Sequence, residues 1–368
     1  MTNNLSQHWI KLQADLLPGL EDLLGPLSDD HERLVTIIEF ADVAKALNIP
    51  YYRGPGRPPG DRVALAHAFI AKSHYNYTEN KQVIEKLQSD SRLRRICGWV
   101  RKSQIPSESV FSRVFAEFAK SGLANKILDA FTKKYHSERL IGHVSRDSTA
   151  IEAREKVAKK ETPTEVLEIE KKKRGRPKKG EEKPAPDPTR LELQLKMRLS
   201  EMLADLPSDC DIGCKKNAKG FITTWKGYKL HVDTIDGDIP VSAILTSASV
   251  HDSQVDIPLA TMTEQKITHL YELKDAAYDS AILRERAKEH NHVALIDFNH
   301  RSPKDTRTFT PPEKRRYKKR SSAERLNGNL KDNYGCQLIR VKGNEKIFTH
   351  LMFGVLCIAI EQTLRWLT

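Results

Sequence analysis

Cysteine is scarce and scattered. Five residues, Cys97, Cys210, Cys214, Cys336 and Cys357, are spread over 368 positions. That spacing excludes a disulfide framework of the kind that staples small secreted domains. No signal-peptide pattern opens the chain, which begins Met1-Thr-Asn-Asn-Leu-Ser-Gln-His-Trp9. Long apolar runs are absent too: the longest, Leu351 to Ile360, is about half a bilayer span and reads as a buried helix rather than a membrane segment. No internal repeat is present, which excludes solenoids and propellers. Acidic residues are in deficit, 49 against 61 Lys+Arg, for a formal net charge of +12 and a pI of about 9.3. An excess of this size points to a polyanionic partner, most simply nucleic acid. What is present in quantity is apolar material, 39% of the chain, enough for two domains or one with an insertion. A soluble protein in a reducing, cytosolic setting is expected.

Residues 1–138 read as all-helical. Leu34, Val35, Ile37, Ile38, Ala41, Val43, Ala44 and Leu47 approximate a helical period between Asp30 and Leu47. Pro50 and Arg53-Gly-Pro-Gly-Arg-Pro-Pro-Gly60 end that unit. Asp61 is placed to cap the next helix, and Ser89 or Asp90 a short later one. Pro106-Ser-Glu-Ser109 opens a helix with Phe111, Val114, Phe115 and Phe118 inside, broken at Ser121-Gly122; a further helix runs to about Tyr135. Arg92, Arg94, Arg95, Arg101, Lys102 and Arg113 make the region basic. Two readings stand side by side, a helix-turn-helix for DNA ends and a plain bundle with a basic exterior.

From Leu140 the pattern turns to strand, with Asp147 on the first strand or at its end. An insertion at 154–206 follows. Its first 30 residues, to Lys183, hold 12 Lys+Arg and 7 Asp+Glu and lack the apolar content to fold alone. Within it Arg174-Gly-Arg176-Pro177 is similar to the minor-groove AT-hook core, against the plainer reading of a basic solvated linker. A helix from Thr189 to about Leu206 closes it. Strands then follow at 221–235, 240–246, 269–275 and 292–298, with helices from Asp252 or Ser253 and from Ser280. One more strand is read at 337–341 and a closing helix from Glu345 to Leu367. The layout is α/β, a mixed sheet flanked by helices behind an all-α N-terminal domain.

Near the C-terminal end lies Tyr317-Lys-Lys-Arg320-Ser-Ser-Ala-Glu324-Arg-Leu-Asn-Gly-Asn-Leu-Lys331. On one helix, at about 100° per residue, Tyr317, Arg320, Glu324 and Lys331 share an arc of about 60°. Ala323, Leu326, Leu330 and Tyr334 form a second stripe for the core. A solvated charged face is the plain reading. The other is a carboxylate for a divalent metal, flanked by groups that hold phosphate. Asp147 and Asp275 close the first and fourth strands on this reading. Neighbouring strands would bring them together, and a following helix would add Glu324. Converging carboxylates suit two-metal phosphodiester chemistry. Asp279 is the rival to Asp275, set aside because it lies near a helix start and makes a ready cap. Cys210-x3-Cys214 has no convincing partner pair, so free thiols are expected rather than zinc. His251-Asp252 is read as a helix-start cap rather than as neighbours of the metals, and Trp225 as a sheet aromatic rather than a residue stacked on a base.

The stretches around the carboxylates resemble the bacterial insertion-sequence DDE transposases. Asp147-Ser-Thr resembles the family's first-Asp motif. Trp225-Lys-Gly-Tyr-Lys-Leu-His, Ile239-Pro240 and Val250-His-Asp-Ser253 resemble its second- and third-strand region. Asp275-Ala-Ala-Tyr278-Asp279-Ser280 resembles its Asp-x-Gly-Tyr-Asp-Ser, with Ala where Gly is usual. The C-terminal stretch is similar to its Tyr-(2)-Arg-(3)-Glu-(6)-Lys signature at all four positions, and Gly56-Arg57-Pro58 with Pro106–Ser112 resembles its N-terminal domain. The resemblance spans about residues 50–365. It implies a helical DNA-end-binding domain at 1–138 and an RNase H-like catalytic domain at 139–368. It further implies Asp147, Asp275 and Glu324 as catalytic ligands of two Mg²⁺ ions, replaceable by Mn²⁺, with Tyr317, Arg320 and Lys331 on DNA phosphates. The implied function is that of a transposase, acting on double-stranded transposon ends and target DNA, as a homodimer on DNA in the bacterial cytoplasm at the nucleoid. The alternatives are a metal-dependent nuclease of the same fold and a non-catalytic DNA-binding repressor. Two departures stand out. Asp147 and Asp275 are 128 positions apart because of the insertion, and the 49 from Asp275 to Glu324 leave no room for a large β insertion.

Overall fold

The computed structural model describes residues 3–47, 60–158, 187–216, 220–300 and 306–366. Gly56-Arg57-Pro58, Arg174 and Arg176 lie outside the described residues.

The N-terminal region is helical throughout. Its helices are α1 (Asn3–Lys11), α2 (Leu17–Leu24), α3 (Asp29–Ala41), α4 (Val43–Leu47), α5 (Arg62–His74), α6 (Asn80–Ser89), α7 (Ser91–Ile96), α8 (Glu108–Ser121) and α9 (Leu123–His136). A π-helical turn at Leu12–Leu16 joins the first two. The caps are where local chemistry places them. Asp61 accepts from the backbone N–H groups of Val63 and Ala64, and Asp90 from those of Arg92 and Leu93, meeting donors a helix start leaves unpaired. Asp42, in the left-handed region at φ 45°, splits the expected helix at 30–47 into α3 and α4.

The sheet follows: β1 (Leu140–Glu152), then the short helices α10 (Arg190–Gln194) and α11 (Leu199–Asp205), β2 (Asp211–Lys216), β3 (Ile222–Ile235) and β4 (Ile239–Ser247). Next come α12 (Ser253–Glu264), β5 (Thr268–Lys274), α13 (Ala281–Glu289), β6 (Val293–Ile296), α14 (Pro311–Tyr317), α15 (Ser321–Asn333) and α16 (Asn344–Leu364). β3 is antiparallel to β1, β2 and β4, while β1, β5 and β6 run parallel. The order is β2-β3-β1-β5-β6, with β4 also pairing β3; β2 takes over along β3 where β4 ends, Tyr228↔Ser247 giving way to Gly227↔Asp211. This is a mixed α/β sheet of RNase H-like type behind an all-helical region. Gly227 stands between two strands, facing both Glu152 and Asp211. Its φ is 150°, and a Cβ there would stand 2.1 Å from the carbonyl oxygen of Ile151, so only glycine fits.

α16 is long and apolar enough to cross a membrane by length and composition, yet 83% of its apolar window is buried within the protein. It packs on α3, α5, α8, α9 and β4, and Phe353 lies 5.9 Å from Phe69 between ring centroids. A single apolar cluster therefore runs from the N-terminal helices through α16 into β1, β3 and β4. The alternation of β4 divides its faces. Val241, Ala243 and Leu245 enter that cluster, while Ile244 meets Val255 and Leu259 of α12.

Several expectations are corrected. Asp147 does not close its strand, because β1 continues five residues further on β3. The helix expected over 189–206 is two helices, the first opened by the reciprocal cap of Thr189 with Glu192 and the second by the Arg198 backbone N–H donating to Glu201. No strand forms at 337–341. Ile339 is buried and Arg340 pairs with Glu79 of α6 at 3.3 Å, so side-chain docking on helices replaces strand pairing there. The single helix expected from Tyr317 to Lys331 is interrupted by a 3-10 turn at Lys318–Arg320.

Candidate active site

β1 and β5 are neighbours, in register from Leu140↔Thr268 to Ser145↔Leu273. Asp147 projects from the middle of β1, and Asp275 follows the last residue of β5. Asp275 turns the chain by accepting from the backbone N–H of Ala277 at 3.0 Å, capping the 3-10 turn Ala276–Tyr278. α15 packs across β1 and β3 on Ala323, Leu326 and Leu330, all buried. That docking carries Glu324 to the same place.

One cation joins the three. The Arg320 guanidinium donates to Asp147 Oδ1 at 3.3 Å, stands 3.7 Å from Asp275 Oδ2, and bonds Glu324 Oε1 through its other terminal nitrogen. Asn327, three residues after Glu324, donates to Asp147 Oδ2 at 3.1 Å. Asp147 is thus held at both oxygens by residues of one helix segment. Glu324 is the outermost, with 59% of its side chain exposed, against 17% for Asp147.

The electrostatics show a shortage of positive charge. Burial pushes the Asp147 carboxyl up to about 6, with Arg320 pulling against it and Asp275 adding to it. Burial likewise raises Asp275, again opposed by Arg320, with Asp252 contributing repulsion. A single delocalised guanidinium does not meet the demand of converging carboxylates. An all-oxygen carboxylate set is the donor chemistry of hard divalent ions such as Mg²⁺ and Mn²⁺, so the residues fit such a metal. Among the described residues, the oxygens of these three carboxylates do not all lie within 4.8 Å of one another.

Around this centre lie residues beyond the expected catalytic set. Asp252 stands at the start of α12 without capping it. It pairs instead with Lys229 at 2.9 Å; burial opposes its charge, but His231 and Lys229 hold it below the usual carboxylate range. Burial lowers His231 to about 4, which keeps it neutral at physiological pH. Lys215 of β2 acts electrostatically on both Asp147 and Asp275. Asn327 had a usable signal, its spacing of three from Glu324. Lys215 had none, being brought in by pairing across the sheet; for Asp252 the sequence favours a helix-start cap over a place near the metals.

The remaining expected residues are placed as follows. Tyr317 ends α14, half-buried, its ring 4.8 Å from that of Phe309. Lys331 lies two turns beyond Glu324, and burial lowers its pKa against the pull of Glu152. Asp279 faces away from the cluster: it is paired with Arg284 at 2.9 Å and Arg307 at 3.1 Å and accepts from the Asn299 N–H. Cys210 and Cys214 are free thiols, and the Trp225 indole donates to the Tyr228 carbonyl within the sheet. Beside the cluster, His143, Pro312, Arg315, Arg316 and Lys319 line a basic concavity of about 330 Å³. A larger one of about 450 Å³, at Trp9, Arg33 and Glu361, shares no residue with the acidic cluster.

Beneath Asp147, on the opposite face of β1, a buried charge network forms the floor. Arg146 donates to both oxygens of Asp233, at 2.7 and 2.6 Å, and to Asp256. Lys274 pairs with Asp256 at 2.8 Å and Glu272 at 2.6 Å.

Residues 211–360 match the family model of the transposase DDE domain, and residues 20–117 match that of the transposase domain DUF772. The chain belongs to the DDE transposases of insertion sequences. No curated protein and no solved structure matches it. The DDE match includes Asp275 and Glu324 and begins after Asp147; β1 enters the same site through its pairing with β3 and β5. Transposases bind DNA, and DDE domains generally work with divalent metal ions, in keeping with the charge of this chain and with its carboxylate cluster.

Proposed function

We propose that this transposase binds the terminal inverted repeats of its element, cleaves the DNA by two-metal phosphodiester hydrolysis and joins the freed 3′ ends to target DNA. The observation that carries this reading is the meeting of Asp147, Asp275 and Glu324, from three separate elements, on the single Arg320 guanidinium. These three carboxylates hold the two Mg²⁺ ions, for which Mn²⁺ substitutes. When bound, the ions supply a Lewis acid that activates the attacking water or 3′-OH and stabilises the leaving oxygen. Asn327 keeps Asp147 oriented. Arg320, which bridges the three carboxylates, would hold a DNA phosphate beside them. Tyr317 and Lys331 contact phosphates on either side, completing the Tyr-Arg-Glu-Lys set. Arg174 and Arg176 hold the minor groove. Residues 1–138 engage the ends, residues 139–368 perform the chemistry, with the insertion at 154–206 between β1 and β2, and two chains act together on DNA in the bacterial cytoplasm.

Incubation of the full chain with DNA carrying the element's ends, Mg²⁺ and a target duplex is expected to give strand-transfer products. Cleavage without joining would identify a nuclease, and binding without cleavage a repressor; either result sinks this reading.

A further inference from the structure

A second cluster of ligand-type side chains lies at the start of β5, away from the catalytic carboxylates. His269 and Glu272 come from β5 and His292 from the residue preceding β6. Among the described residues this is the one group of His, Cys, Asp or Glu whose ligand atoms all lie within 4.8 Å of one another. His269 and Glu272 are buried, at 2% and 1% exposure. Three residues apart on a strand, they would normally face opposite ways. Here His269 Nε2 lies 3.5 Å from Glu272 Oε1, while Leu270 between them is exposed.

Their polar atoms are poorly served. Among the described residues neither ring nitrogen of His269 has a hydrogen-bond partner, nor does Glu272 Oε1. His269 Nε2 meets only Glu272 Oε1, at 3.5 Å, and its Nδ1 has no partner. The network to which Glu272 belongs has two buried cations, Arg146 and Lys274, and three buried anions, Asp233, Asp256 and Glu272, so its balance falls to whatever positive charge His269 or a bound ion carries. Glu264 beyond it is matched by Arg286 at 2.9 Å.

His292 is set up as a metal ligand is. Its Nδ1 lies 2.9 Å from the His269 carbonyl oxygen. Donation there fixes the tautomer with a free lone pair on Nε2, the arrangement metal-ligating histidines adopt. Bonds of about 2.0–2.1 Å to a tetrahedral zinc ion separate its ligand atoms by about 3.3 Å, close to the 3.5 Å from His269 to Glu272. Glu264 Oε1 lies 3.7 Å from His292 Nε2, outside the three-residue group.

We propose that His269, Glu272 and His292 form a zinc site that ties β5 to β6, with water completing the coordination. The imidazole rings, stacked 3.8 Å apart, would splay to turn each Nε2 toward an ion. His292, with 9% of its side chain exposed against 1% for His269 and Glu272, is the ligand nearest the surface. The two imidazoles favour Zn²⁺ over the hard ions of the carboxylate site. Its structural effect would be to brace the strand that ends at Asp275.

The test is metal content. The full chain, stripped with chelator, incubated with Zn²⁺ and desalted, is expected to retain close to one zinc per chain by mass spectrometry, with a melting temperature several degrees above that of the stripped form. Asp147→Asn should retain the same zinc, and His292→Ala and His269→Gln should lose it. Co²⁺ loading should give the visible absorption of a four-coordinate ion, absent in His292→Ala. Since His292 is less buried than His269 (9% against 1% of the side chain exposed), that variant should fold even if His269→Gln does not, and circular dichroism checks it. No retained zinc in the wild type, equal retention in a folded His292→Ala, or loss of zinc in Asp147→Asn would each overturn the proposal. The last would place the ion at the catalytic carboxylates. The outcome is independent of whether strand transfer is observed.

Discussion

Asp147 is the residue on which the site's electrostatics concentrate. Its folded-state pKa of about 6 lies above the unfolded value of about 3.9. A carboxyl raised in this way binds its proton more tightly when folded, so its contribution to stability falls as pH rises from about 4 to about 6. A shift of about two units is worth about 3 kcal/mol. Asp147→Asn should therefore raise the melting temperature of the metal-free protein by several degrees at pH 7.5. The gain should fade toward pH 4, read by calorimetry; equal or lower stability at pH 7.5 would refute the burial argument. The same variant should bind end DNA but not cut it, and retained cutting would remove Asp147 from the catalytic set. Because protons compete with metal for this carboxylate, metal-dependent cleavage by the wild type should fall as the pH drops below about 6. Asn327→Ala, which frees one oxygen of Asp147, should weaken metal affinity by about 10–100-fold with little change in DNA binding, measured by Mn²⁺ titration against a gel-shift control.

At the scale of elements, β1 carries charge on both faces, and the two faces do different work. The outward one presents Asp147 to α15. The inward one sinks Arg146 between Asp233 and Asp256. Removing one partner of a buried ionic group strands the others, at about 3–5 kcal/mol. Arg146→Leu should accordingly lower the melting temperature by roughly ten degrees or more, or leave the protein insoluble. A near-wild-type melt would show that the network adds little. The 3-10 turn at Lys318–Arg320 matters at this scale too. It overwinds the chain between α14 and α15, so Tyr317 approaches the site from a different helix than Glu324. The sequence period, which treats 317–331 as one helix, does not see this break, because a 3-10 turn uses the same residue types as an α-helix.

Across the whole molecule, α16 binds the two regions into one body. The same helix faces the N-terminal helices and β4, and the apolar cluster passes through it without a break. Heating the metal-free protein should therefore give one cooperative transition, with calorimetric and van't Hoff enthalpies equal. Two resolved transitions would mean that the helical region melts by itself. With a net charge of +12, affinity for any duplex should fall steeply with salt, linearly on logarithmic axes.

The sequence by itself determined what depends on near neighbours. Caps at Asp61 and Asp90, the break at Gly122, the buried run of α16 and the alternation of the strands follow from interactions a few residues long, and the structure shows each of them. The strand order was also within reach, since a parallel β1–β5 pair is what brings Asp147 toward Asp275. Only the tertiary structure decided what lies between the carboxylates. That Arg320 touches all three, that Asn327 grips Asp147, that Lys215 and Asp252 stand close by, and that His269 meets His292 all depend on side chains separated by tens to hundreds of positions. Such meetings are set by sheet register and by the angle at which helices dock. Neither is written in any local spacing, because the packing energy that selects them is shared over the whole core.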